Sequence, residues 1–143
     1  MDRKSFVLVH QLARQRAIDF VAQAPHGYVV VVTEPTKRRV QEEKYHAQIG
    51  DIAEQTTYAG REWDKDDMKR LLIDEFAQAM RDHGTPLRHD SRLVPSADGK
   101  RIIQLGVQSR QFSIKEASNF IEFLYAYGAD RSVVWSGASS EGP

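Results

Sequence analysis

The side chains best suited to chemistry in this sequence are cations placed where the chain turns. Lys37, Arg38 and Arg39 stand together, Arg88 and Arg92 follow in an irregular stretch, and Arg110 precedes a helix start. At loops and element ends such side chains reach backbone phosphates, and Tyr45, Trp63 and Trp135 offer rings on which unpaired bases could stack. The competing reading makes Tyr45 and Trp63 core residues and leaves the cations to keep the protein in solution. Composition alone leaves both open.

Other chemistries find less support. The five histidines, His10, His26, His46, His83 and His89, form neither HExxH nor a close His pair, and no cysteine supplements them. No GxSxG nucleophile elbow occurs, nor the phosphate-cradling GxGxxG and GxxxxGK[ST] motifs. Acids are plentiful at Glu42, Glu43, Asp51, Glu54, Asp64, Asp66 and Asp67. A metal-dependent nuclease built on Asp51 and Glu54 is conceivable, but exposed helices commonly carry such acids, and the solvated-face reading is preferred. No catalytic residue, metal or cofactor is assigned.

The chain has 143 residues, 41% apolar and 28% charged, which suits one soluble globular domain with a real core. No apolar run is long enough to span a membrane. The amino terminus MDRKSFVLVH lacks a signal peptide's apolar region, and without cysteines a cytoplasmic location is expected. Twenty Lys and Arg balance twenty Asp and Glu. Neutrality argues mildly against a dedicated nucleic-acid binder, so clustering has to carry that case.

The elements that must position these residues follow from periodicity. Lys4 to His10 alternates as a first strand, Gln11 to Ala24 carries a helical apolar stripe, and Tyr28 to Thr33 (YVVVVT) reads as a buried central strand after Pro25-His26-Gly27. Strand, helix and strand together fit a βαβ crossover. Thr36 caps a long helix whose apolar face is Val40, Tyr45, Ile49, Ile52, Ala53 and Thr56, with Gln41, Glu42, Lys44, Gln48, Asp51 and Glu54 opposite. A Tyr58-Ala59-Gly60-Arg61 turn leads to Trp63. Asp64, Asp66 and Asp67 then open a helix whose expected buried face is Met68, Leu71, Leu72, Ile73, Phe76, Ala79 and Met80, with Gly84 as its stop.

Leu93-Val94 and Ile102 to Leu105 flank Asp98-Gly99 as a hairpin. Ser113 and Glu116 form a capping box for a helix that buries Ala117, Phe120, Ile121, Leu124 and Tyr127, with Gly128 as its stop. Arg131 to Trp135 reads as a last short strand. The expected fold is one α+β domain over residues 1–135, a small mixed sheet packed on three to four helices, with a flexible tail at 136–143.

Several of these segments resemble, in order, the NinB family of phage recombination proteins. They are KRRVQEEKYHAQIGDIAEQ, then Tyr58-x-Gly60-Arg61-x-Trp63, DDMKRLLIDEF, RLVPSADGKRIIQLG, SIKEASNFIEFLYAYGA and the final Arg131 to Ser136. The likeness covers roughly 100 residues and is weak only over the first 30 or so. One departure stands at the start of the long helix. Gln41 matches, but Glu42 replaces an expected Asn and His46 an expected Trp; the His ring could stack, and could carry charge below neutral pH.

The resemblance implies a non-enzymatic homodimer in the bacterial cytoplasm. It would bind single-stranded DNA and help load a recombinase onto strands coated by the host single-strand-binding protein. It also implies phosphate contacts at Lys37, Arg38, Arg39 and Arg110, with Gln41 and His46 near the dimer's central opening. Arg88 and Arg92 join this set from the cation pattern itself. An adaptor for the single-strand-binding protein with weak DNA contact is the alternative, and the nuclease a distant third.

Overall fold

The structure is a computed structural model that describes residues 3–136. In chain order the elements are α1 (Gln11–Gln23), α2 (Lys37–Gln55), α3 (Lys65–Asp82), a hairpin of β1 (Arg92–Pro95) and β2 (Ile102–Leu105), and α4 (Ile114–Ala129). A 3-10 turn at Ser109–Gln111 precedes α4. The class is α+β, as expected. Its sheet is two antiparallel strands, with Leu93 opposite Gln104 and Val94 opposite Ile103.

The chain divides into two compact units, Met1–Glu34 and Pro35–Pro143. In the first, α1 begins where the His10 ring accepts the Ala13 N–H at 3.0 Å, and Phe6 packs on Phe20. Among the described residues, neither expected strand forms and there is no βαβ crossover. Lys4–His10 is irregular, and residues 28–33 make no ladder, with Val29 and Val32 each 84% exposed. Strand propensity records fitness for a pleated, half-buried surface, and a strand exists only where a second strand accepts its hydrogen bonds.

In the second unit, α2 lies against both α3 and α4. Tyr45, Ile49 and Ile52 of α2, Met68, Leu72 and Phe76 of α3, and Phe120 and Leu124 of α4 are all 2% exposed or less. Local chemistry sets the helix ends. Thr36 Oγ1 accepts the Arg39 N–H at 3.1 Å, Asp64 the Asp67 N–H at 2.8 Å, and both halves of the Ser113–Glu116 box are made. Gly84 follows α3 at φ +85°, a conformation only glycine adopts cheaply.

The polar face assigned to α2 is partly its packing face. Gln41 and Gln48, one heptad apart, are buried and donate their amides to the carbonyls of Ile114 (2.8 Å) and Ile121 (3.1 Å). Val40 is half exposed instead. A helix flanked on two sides needs a wider buried stripe than one apolar face supplies, and glutamine fits where it reaches a neighbour's carbonyl.

Gly128 is not a stop. It lies inside the last turn of α4, buried under the ring of Trp135, where a Cβ would sit 2.4 Å from two ring carbons. Residues 131–135 are not a strand. They strap back over α2, Gln55 exchanging two hydrogen bonds with the Val134 backbone at 2.7 and 2.8 Å. Asp51 accepts from the Ser136 N–H (3.0 Å) and hydroxyl (2.7 Å). Of the expected tail, residues 137–143 lie outside the described residues.

Candidate nucleic-acid interface

Three of the predicted cations converge. Arg88, Arg92 and Arg110, from the loop after α3, the start of β1 and the 3-10 turn, line one open groove of about 360 Å3 with His89, Gln108 and Gln111. Each is carried by an anchored neighbour. Leu87 and Phe112 are buried in the core beside Arg88 and Arg110, and Arg92 is held by the hairpin. The Arg88 N–H donates to Glu116 Oε2 at 2.8 Å, while Glu116 Oε1 accepts from the Ser113 N–H. Burial alone raises the Glu116 pKa, but the N–H groups of Ser113 and Arg88 outweigh it and hold the carboxyl below its ordinary range.

The one acid of the groove, Asp90, is bonded to the Arg81 guanidinium and the Ser91 N–H. Among the described residues, none of the three groove arginines has a carboxylate at ion-pair distance. The groove is therefore a positive site with free guanidinium donors, suited to phosphate.

The basic start of α2 adjoins it. Arg38 reaches across to donate to the Phe112 carbonyl at 2.8 Å, two residues past Arg110. Lys37 is exposed, and Arg39 makes only a loose contact of 3.9 Å with Glu43, both side chains half exposed. Arg38 thus spends one donor on the fold, leaving Lys37 and the loosely paired Arg39 as the exposed cations of the triplet.

The other expected residues divide. Gln41 is 8% exposed and its amide is bonded to the Ile114 carbonyl, so its contribution is to the pairing of α2 with α4. His46 is half-buried beside Tyr45, ring centroids 5.0 Å apart. Burial, then Lys69 and Lys65, lower its pKa against the opposing pull of Glu42 and Asp66, which disfavours the charged ring.

The stacking rings are occupied. Tyr45 is core, Trp63 donates to the Tyr58 carbonyl at 2.7 Å beneath the Arg61 guanidinium, and Trp135 packs on Tyr125. Asp51 is engaged by Ser136, and among the described residues no three His, Asp or Glu side chains gather as metal ligands.

Sequence reading missed His89, Gln108 and Gln111 in the groove; the adjacency of His89 to Arg88 was the available signal. It also missed Lys65 and Lys69 beside His46, four residues apart on α3.

With this geometry in place, comparison with known proteins gives a lineage. The family profile described as NinB protein matches residues 2–136. The chain belongs to the NinB family. Protein ninB of Salmonella phage P22 and protein ninB of Escherichia phage lambda are each 24% identical over 128 residues, covering 89% of this chain and 80% of theirs. A solved NinB structure from structural genomics superposes with a TM-score of 0.60 at 23% identity, covering 98% of this chain and 94% of that one. That likeness speaks to the fold. Among the described residues of this NinB-family chain, no helix is long and apolar enough to cross a membrane.

Proposed function

We propose that this NinB-family protein is a phage recombination mediator without enzymatic activity. It binds single-stranded DNA in the Arg88–Arg92–Arg110 groove and assists recombinase loading onto strands coated by the host single-strand-binding protein. The convergence of three unpaired arginines from three separate segments on one groove carries this reading. Lys37 and Arg39 extend the positive track past Phe112. Each neutralised phosphate releases counterions with a log-log salt slope of about −0.7 on single strands, so three groove contacts give a slope of roughly −2. Base selectivity is expected to be low, because the groove offers guanidinium groups and amides with one exposed ring, His89.

The homodimer belongs to the same reading. Among the described residues, 28–33 join no ladder, and Tyr28 to Val32 are exposed; pairing with a second copy would give their backbone partners and double the positive track without changing the charge per chain. The same exposure favours one rival, an adaptor whose main ligand is the single-strand-binding protein.

Fluorescence anisotropy of a labelled single strand, titrated at several salt concentrations beside the matching duplex, separates the two. Salt-steep binding that prefers the single strand and weakens in R88A, R92A and R110A is expected. No binding to naked DNA at low salt, with capture by the partner protein retained, would establish the adaptor instead.

A further inference from the structure

A second set of polar side chains gathers where α2 passes α3. Arg38, Glu42, His46 and Gly50 follow at four-residue spacing and so run as one stripe along α2. The last three are half-buried. Gly50 leaves room that Lys65 of α3 fills, its Cε 3.7 Å and its Nζ 3.8 Å from where a Cβ would stand. Lys69, one turn further along α3, is half-buried as well. The charges that act on the His46 ring are Lys69 and Lys65 from α3, opposed more weakly by Glu42 of its own helix and Asp66 of α3. Among the described residues, neither lysine lies within ion-pair distance of a carboxylate.

The two ammonium groups near this half-buried imidazole are only partly offset by Glu42 and Asp66, which leaves room for a further negative charge. An arriving phosphodiester would supply that charge. The same anion would reverse the balance at His46, offsetting the lysines and stabilising the imidazolium. The stripe begins at Arg38, whose guanidinium contacts the backbone next to the groove, and reaches His46 about 12 Å further along the helix. A strand leaving the groove past Arg110 therefore has a continuous path to it.

We propose that His46, Lys65 and Lys69 form a second phosphate-binding site for the single strand, in which His46 takes up a proton as the phosphate arrives. The proton comes from solvent onto the free imidazole nitrogen, and no other bond changes. The inference rests on the single-strand reading above.

The test uses full-length protein and a labelled oligothymidylate, in an H89Q background so that the groove histidine does not contribute. Anisotropy is measured from about pH 7.5 to 5.5, with His46 titrated by NMR in the free and bound states. Affinity should rise as pH falls, by up to tenfold per pH unit where one proton is taken up, and the His46 pKa should move upward on binding. H46Q should flatten the pH profile. K65A and K69A together should weaken binding and make the salt slope shallower by about 1.4, two contacts at about 0.7 each.

Circular dichroism melts check that these variants remain folded. If they bind as the parent does and the pH profile persists in H46Q, the second site is overturned while the groove stands, as shown by loss of binding in R88A, R92A and R110A. If the parent binds no single strand anywhere in this range, both readings fall.

Discussion

The Arg38 guanidinium donates to the Phe112 carbonyl at 2.8 Å, joining the first turn of α2 to the residue that ends the 3-10 turn and precedes the α4 cap. Phe112 itself is core, in ring contact with Tyr45, Phe76 and Phe120. The bond therefore ties a cation of the expected DNA-binding set to the hydrophobic centre. Its loss in R38A should cost about 1–2 kcal/mol, as for a partly buried charged hydrogen bond. K37A and R39A, at exposed positions, should leave the unfolding free energy within about 0.5 kcal/mol and reduce DNA affinity instead. Equal destabilisation by all three in urea titrations would contradict this division.

Gly128 makes a second case separable from helix propensity. Alanine exceeds glycine in a helix by about 1 kcal/mol, so propensity alone predicts that G128A is stabilising. The Trp135 ring occupies the space the new methyl needs and is itself held against Tyr125, centroids 5.2 Å apart. G128A should destabilise by about 1–2 kcal/mol, and much of the loss should disappear in the W135A background. A G128A protein more stable than its parent in chemical denaturation would show that the strap does not constrain this position.

The pH dependence of stability has a defined sign at His46. Burial, Lys69 and Lys65 favour the neutral ring in the folded state, so its folded pKa lies below the unfolded value of about 6.5. The unfolded chain then binds more protons on acidification. The stability tied to this group is complete above about pH 6.5, falls as pH drops through that value, and levels off below the folded pKa. Melting curves of the parent and H46Q should therefore diverge between about pH 7.5 and 5, the parent losing more. A difference that stays constant across the range would mean that His46 titrates like a solvent-exposed imidazole.

Glu42 stands in the Arg38–His46–Gly50 stripe, and its charge acts on both His46 and Tyr45. On the proposed strand path it repels phosphate. E42Q should tighten single-strand binding by about twofold to fivefold at low salt, with the gain shrinking as salt screens it. It should also lower the His46 pKa further, since Glu42 supports the imidazolium. Unchanged affinity in E42Q, measured by anisotropy, would place the strand away from this stripe.

Much of the α2–α4 architecture was legible from short stretches. Thr36, Asp64 and the Ser113–Glu116 box each announced a helix start, because a cap is completed within three residues of chain. Asp98-Gly99 announced the hairpin for a similar reason: Asp98 bonds Ser96 and Lys100, and Gly99 takes φ +72°. The cations were recognisable as a set, but their grouping was not. Lys37, Arg38 and Arg39 looked strongest because they are adjacent, whereas the groove is built from Arg88, Arg92 and Arg110.

By itself the sequence determined the helix starts, the turns, the family and the supply of phosphate-seeking side chains, all of which depend on residue type and near neighbours. Tertiary structure alone decided which polar residues face inward, as Gln41, Gln48 and Asp51 do, and whether a strand-prone run such as residues 28–33 finds a partner strand. It also decided that arginines from three segments share a groove. Those outcomes rest on hydrogen bonds such as Arg38–Phe112 and Asp51–Ser136, 74 and 85 residues apart. At such separations, local periodicity carries no information about which groups will meet.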